Sequence, residues 1–473
     1  MGVNRRKFLK YTGCGAMASN TMMSSILNLR ALSAAALTDS SVHQADDYKA
    51  LVCFSLKGGN DSFNMLVPTT TDEYNTYRQV RSNLALERAD LLDLTGATDG
   101  RTFALHPALT NLRQLYSENK LAFMANIGTL VEPTTVDDFF TNAKRMPLGL
   151  LSHSDQRQQW QTAIPHERSA IGWGGRMAEL LNDANPPYNT NQLIPMNISL
   201  DGINSFQTGS ESVAYTISPS DGPVGIEGYD DYSFLQESIE DLLSQNYADV
   251  FKKTYVKTLK GSLDAYVGYN RAVNDIELGV SFPPINNNNG SIGGAFEQVA
   301  KAIAAHETLG FRRQTFFITL GGFDNHDELL DNHERNMSLM DRALGSFQRA
   351  MDELGLTDQV VTFVISDFAR TMGSNGNGTD HAWGGNVFAL GGAVKGGMIY
   401  GKYPETLSFN DNAVDLGGGI LVPTTSADVY FAELAQWFGV SKSNLEDIFP
   451  NLINFYDYRT AGDSNPLGFL NIT

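Results

Sequence analysis

The chain has 473 residues, 42% hydrophobic and 18% charged, and its 34 Lys and Arg face 53 Asp and Glu for a formal charge of −19. That length can bury a large core. So acidic a surface argues against nucleic acid and anionic membrane as partners, since both require a positive footprint.

The N-terminus departs from this balance. Residues 1–36 hold five basic residues (Arg5, Arg6, Lys7, Lys10, Arg30) and no acidic one, leaving 29 basic against 53 acidic beyond them, a net of −24. Asn4–Lys10 (NRRKFLK) precedes a moderately apolar stretch and then Ala31–Ala36, a run of small residues suited to cleavage. This resembles a twin-arginine export signal over 1–36, which implies passage through the twin-arginine machinery, already folded, to the periplasm or beyond. No other segment approaches the ~20 apolar residues of a membrane span. Of the two cysteines, Cys14 lies in this signal, so Cys53 is left without an internal disulfide partner.

After a polar linker (Thr38–Asp47), Lys49–Leu56 (KALVCFSL) reads as a buried strand running into Gly58-Gly59-Asn60-Asp61, with Phe63–Pro68 as a second short strand. Asp61 suits either a metal ligand or a turn cap. Phe103–Asn119 has Leu105, Leu109, Leu112 and Leu115 on one helical face, and Leu121–Ile127 follows as a strand; His106, before Pro107, takes a structural role. At Leu151-Ser152-His153-Ser154-Asp155, a Ser followed at the third position by Asp is the pattern of a helix N-cap. The same position would also suit a nucleophile, because free N–H groups and the helix dipole favour an anionic ester there.

Asn197–Ser218 reads as short strands and loops, Asp231–Ala272 as one long helix or a helical pair, and 283–290 as a loop. From Ala295 onward helix and strand alternate: helix 295–309, strand from Thr315 (TFFITL), helix 336–354, strand 359–365, then strand 387–390. That alternation predicts a parallel sheet. A helical C-terminal part (427–439, 444–449) completes the chain. The domain reading is a single unit over 48–473, with 197–290 an inserted or flanking subregion.

Acidic or imidazole side chains follow three strand ends: Asp61, then Asp324 and His326, then Asp367, with Asp380 and His381 one loop later. Parallel strands bring such ends to one edge, where carboxylates repel unless a cation sits between them. Paired divalent ions serve the hydrolysis of phosphate-type esters by clamping the attacking and leaving oxygens. Arg370 then offers a fixed fork for a tetrahedral oxyanion. Neither GxGxxG nor GxxxxGK[ST] occurs, so a dinucleotide or P-loop site is not indicated.

GGND at 58–61, LSHSDQ at 151–156, GGFDNH at 321–326, SDFART at 366–371 and GTDHAWGGN at 378–386 together resemble the DUF1501 family of exported bacterial proteins, which is similar to the alkaline phosphatase and sulfatase superfamily. The resemblance implies an α/β fold: a three-layer α/β/α sandwich around a mainly parallel sheet. It implies divalent metal ions (Zn, Mn, Ca or Mg), with Asp324, His326 and His381 on one and Asp61 and Asp367 on the other. Ser152 matches the superfamily nucleophile in chain order, with His153 and Arg370 holding the oxyanion of a small or polymeric anionic ester. Many superfamily members carry a His where Phe368 stands, so one metal site is short of a ligand, completed by Asp380 or His333, or absent. Two readings stand: an exported metal-dependent hydrolase of phosphate or sulfate esters, and an exported binding or cell-surface protein on an inactive phosphatase-like scaffold.

Overall fold

The computed structural model describes residues 47–472 except 97–99, 185, 192, 227–228, 283–285 and 288–289. The export signal read at 1–36, Cys14, most of the polar linker and part of the 283–290 loop lie outside the described residues.

In chain order the main strands are β1 (Lys49–Leu56), β2 (Leu121–Gly128), β3 (Asn197–Ser199), β4 (Tyr215–Ser218), β5 (Gly222–Pro223), β6 (Arg313–Leu320), β7 (Val360–Ser366), β8 (Gly385–Leu390) and β9 (Met398–Gly401). The helices that cover them are α1 (Thr110–Ser117), α2 (His153–Thr162), α3 (Trp173–Asn182), α4 (Ser233–Ser244), α5 (Val250–Val273), α6 (Ile292–Ala304), α7 (Leu329–Glu353) and α8 (Ala427–Phe438). The strands form one sheet in the order β9-β2-β8-β7-β1-β6-β3-β4-β5, with Thr425–Ser426 also paired to β2.

β1 lies at the centre, parallel to both β6 and β7. It reads as a continuous apolar run because helices cover both of its faces. Val52, Phe54 and Leu56 join the cluster built on Phe296 of α6 and Met340 and Phe347 of α7. Leu51 and Cys53 face the opposite layer, with Trp173 of α3 and Phe431 of α8. The architecture is therefore a three-layer α/β/α sandwich around a mainly parallel sheet. Among the described residues no helix is long and apolar enough to cross a membrane.

Several expected elements take a different form. Phe63 belongs to a one-turn helix, Ser62–Met65, which the Asp61 side chain caps through the amide of Asn64, and only Leu66–Pro68 is extended. Phe103–Leu105 is a strand antiparallel to Leu66–Pro68, so α1 begins only at Thr110, beyond Pro107. Residues 231–272 form the antiparallel pair α4 and α5. β8 is antiparallel to both β7 and β2, against the expected parallel order. No helix separates β7 from β8; a hairpin pairing Ala369–Arg370 with His381–Ala382 turns the chain back, and a parallel return would need a crossover of a dozen or more residues, usually a helix.

His106 and His333 are buried with rings 5.4 Å apart, and His333 Nε2 lies 3.0 Å from Asn60 Oδ1. Burial holds both near a pKa of about 3, helped by the mutual repulsion of the rings at His106 and by Arg81 at His333. The folded chain keeps them neutral, while the unfolded chain takes up their protons below 6.5. Stability therefore falls as pH drops from 6.5 toward 3, by up to about 1.4 kcal/mol per unit for each histidine. Asp428, pushed up to about 7 by burial, works in the opposite sense and offsets one of them above its ordinary value of 3.8. Urea unfolding between pH 4 and pH 6.5 should show a slope in His333→Gln smaller than that of the wild type by about 1.4 kcal/mol per unit.

Candidate metal site

The C-terminal ends of β1, β6 and β7 lie side by side at the centre of the sheet, as the carboxyl edge of an open α/β sheet provides. Gly58 and Gly59 follow β1 at φ +115° and +86°. A Cβ at Gly58 would lie 2.3 Å from the Asp324 backbone nitrogen, so the close approach of this loop to the one after β6 requires glycine. The loop after β6 carries Asp324 and His326. The hairpin after β7 sets His381 directly opposite Arg370, and the N-terminus of α2 brings His153 from the far side.

These side chains converge on the Asp324 carboxylate. His153 Nε2 is 3.2 Å from Oδ2, while His326 Nε2 and His381 Nε2 are 3.1 and 3.4 Å from Oδ1. The last two nitrogens are 3.0 Å from each other. Facing atoms of His153, Asp324 and His381 all fall within 4.8 Å of one another.

Each imidazole is held at its other nitrogen. His381 Nδ1 is 2.7 Å from the Leu151 carbonyl, which can only accept, so that nitrogen carries the proton and Nε2 presents a lone pair. His153 Nδ1 donates to Asp367 at 2.9 Å and His326 Nδ1 to Asp380 at 3.1 Å. Each ring thus turns its Nε2 toward one carboxylate, an arrangement that a cation bound among them would satisfy. An N–H of each ring engaged by a carbonyl or carboxylate is how metal-binding histidines are oriented.

Burial works to raise the Asp324 carboxyl, but the hydrogen bond and charge of Arg370, with the charges of His153 and His326, outweigh it and hold the group below the ordinary carboxylate range. Burial and the neighbouring charges of Arg370 and His153 lower His381, which keeps it neutral. Hydrogen bonds from Asn375 and His326 hold Asp380 low and ionised. The donor set of three imidazoles and a carboxylate fits a transition metal better than Mg or Ca, which prefer oxygen ligands.

Six positions named from the sequence take other roles. Asp61 is a correction: its carboxylate is 2.5 Å from the Arg81 guanidinium, both are wholly buried, and its other oxygen caps the Ser62–Met65 turn. Asp367 and Asp380 stand behind His153 and His326 as their acceptors. Ser152 is the N-cap of α2, its hydroxyl directed at the Asp155 amide and Ser154 rather than at the cluster. His153, expected to hold an oxyanion, points its Nε2 at Asp324. Arg370 is fully buried and committed to Asp324 at 2.7 Å, to the Gly58 carbonyl and to Thr379, so it is not a free fork.

Phe368 packs its buried ring against His153 and His381, with centroids 4.6 and 4.4 Å away. His333 cannot complete a second site, because Asn60 and the His106 ring hold it in the core. Among the described residues one cluster, His153, Asp324 and His381 with His326 beside it, stands where two metal sites were expected.

Sequence reasoning did not single out Arg157. It stands one turn along α2 from His153, its Nε 4.0 Å from Asp367 Oδ1, and the i, i+4 spacing was the available signal. Beside the cluster opens a cavity of about 680 Å³, bounded by His326, Asp380, His381, Leu151, Phe409 and Ile420. Asp380→Ala removes the acceptor behind His326 and should weaken metal affinity by about 10–100-fold, read by competition with a chelator.

Comparison with curated proteins returned no match. Among solved structures, the chain is similar to the lipoteichoic acid synthase LtaP from Listeria monocytogenes, at 9% identity over 76% of this chain and 71% of that one, TM-score 0.30. It is also similar to the sulfatase PsFucS1 from Pseudoalteromonas sp., at 11% identity over 78% and 68%, TM-score 0.32. A Vibrio parahaemolyticus protein in the alkaline phosphatase superfamily gives 10% identity over 76% and 67%, TM-score 0.27. Residues 281–449 match the family model described as "Protein of unknown function (DUF1501)", and Asp324, His326 and His381, three of the four converging side chains, lie within the matched residues.

Proposed function

We propose that this chain is an exported, metal-dependent hydrolase of phosphate or sulfate esters, with a single cation site formed by His153, Asp324, His326 and His381. The observation that carries this reading is the set of three imidazoles, each fixed at Nδ1 and each turning Nε2 toward one carboxylate beside an open cavity. A bound transition metal would supply a Lewis acid that polarises the ester oxygen. The chain's own groups do the rest. Arg370 keeps Asp324 ionised, and Phe368 closes one side of the cluster to water. Arg157 offers the substrate anion a guanidinium with open donor positions. The Ser152 hydroxyl is engaged as a helix cap, so the attacking group is water entering from the cavity.

Export by the twin-arginine route to the periplasm or beyond is part of the same proposal, resting on the arrangement of residues 1–36. The reading of 48–473 as one domain, with 197–290 flanking it, belongs to it too.

Metal analysis of chain purified without chelator should find close to one equivalent of a metal such as zinc or manganese. An ester panel should then show activity that survives Ser152→Ala. Metal far below one equivalent would overturn the reading, as would loss of activity in Ser152→Ala with its metal retained. The second reading is a scaffold that holds the metal without turnover, favoured by Ser152's commitment to a cap. A full metal complement with no hydrolysis of any ester on the panel would select it.

A further inference from the structure

α4 and α5 project an apolar surface that nothing among the described residues covers. The pair is antiparallel: Asp230, just before α4, bonds the Tyr266 hydroxyl on α5, while Leu242 and Tyr247 at the other end line a groove with Phe251 and Tyr255. Only Tyr229, Leu243 and Leu263 are buried in the small cluster between the helices. By contrast Phe251 is 85% exposed, Tyr255 68% and Leu242 54%. The groove, completed by Val256 and Leu259, encloses about 480 Å³. Contiguous exposed apolar surface of this kind marks an interaction site.

Charge distribution identifies the occupant. Lys253, Lys257 and Lys260 run along one side of α5 at helical spacing. No acidic residue occurs between Val250 and Leu263. On α4 the charges are reversed: Glu237, Glu240 and Asp241, with no basic residue in the helix. The groove therefore lies between a helix with only acidic charges and a helix segment with only basic ones, and Lys252 of that segment reaches its lining. Such a surface is its own complement under a two-fold axis, which sets α4 of one copy on α5 of the other. An anionic membrane would meet the acidic helix and a chain of net charge −19.

We infer that the α4/α5 pair is a self-association surface, through which two copies of this chain bury Leu242, Phe251 and Tyr255 and pair the acidic helix of each with the lysines of its partner. Light scattering and sedimentation of the purified full chain should give twice the single-chain mass, and Phe251→Glu with Tyr255→Glu should halve it.

A mixing experiment guards against simple misfolding. One variant carries Lys253→Glu, Lys257→Glu and Lys260→Glu; the other carries Glu237→Lys and Asp241→Lys, leaving Glu240 to the Tyr229 hydroxyl that it accepts from. Each alone should sediment as a single chain, because like charges then face across the axis. Their equimolar mixture should regain the doubled mass. A wild-type chain that stays single at all concentrations would overturn the inference, whether or not it binds vesicles of anionic lipid. So would charge-reversed variants that still double on their own, or a mixture that stays single.

Discussion

Asp61→Asn should cost the fold about 3–5 kcal/mol, because it leaves the Arg81 guanidinium buried without its counter-charge. Arg81 also donates to the carbonyls of Thr371 and Met372, at 3.1 and 3.2 Å, so the pair ties the loop after β1 to the hairpin that carries His381. The measurement is urea unfolding of wild type and variant under one buffer. Metal content per folded chain should not change, since Asp61 contributes no donor to the cluster. Replacing both partners, Asp61→Leu with Arg81→Met, should recover much of the loss, as apolar replacements of buried ion pairs commonly do. A stable Asp61→Asn chain that had lost its metal would restore the ligand role read from the sequence and refute the structural one.

Asp324→Ala should give the opposite pattern. Its carboxylate is the one group that all three imidazoles face, so its removal should drop metal content to background and reduce ester hydrolysis by a factor on the order of 10³, comparable to deleting a principal electrostatic group from an active site. The loss in stability should be smaller than for Asp61→Asn, because Arg370 keeps its bonds to the Gly58 carbonyl and to Thr379. Elemental analysis and thermal unfolding of the same preparation separate the two effects. Retention of metal by Asp324→Ala would sink the proposed site.

The contrast shows what was legible in the sequence. β1, β6 and β7 were readable because both faces are covered and their apolar runs are unbroken. The placing of Asp324 and His326 followed from strand ends meeting at one sheet edge. Asp61 met the same local rule, an Asp beside glycines after a strand, and was read in the same way. What separates them is Arg81, twenty positions on, at the end of the helix Thr71–Arg81, with nothing local to mark its guanidinium as buried. Ser152 fits both a cap and a nucleophile by its local pattern, and its hydroxyl lies against the Asp155 amide at the start of α2. The roles of His153 and His381 depend on which ring nitrogen is held, and in His381 the holding group is a backbone carbonyl that no side-chain pattern discloses. The direction of β8 was missed because strand order was judged from helix–strand alternation, whereas the connection that decides it is a hairpin.

The four donors come from positions 153, 324, 326 and 381, and only Asp324 and His326 are close in the chain. Leu151 and His381, joined by one hydrogen bond, are 230 residues apart. An unfolded chain therefore offers at most a weak two-donor site, unlike small metal-nucleated modules in which the ion directs folding. Here order in time is reversed: the sheet must close, the hairpin must turn back beside Arg370, and α2 must dock before a cation has anywhere to bind. Under the proposed function, loading would then be an event in the life of the finished protein, set by the compartment in which folding ends and by the metals present there.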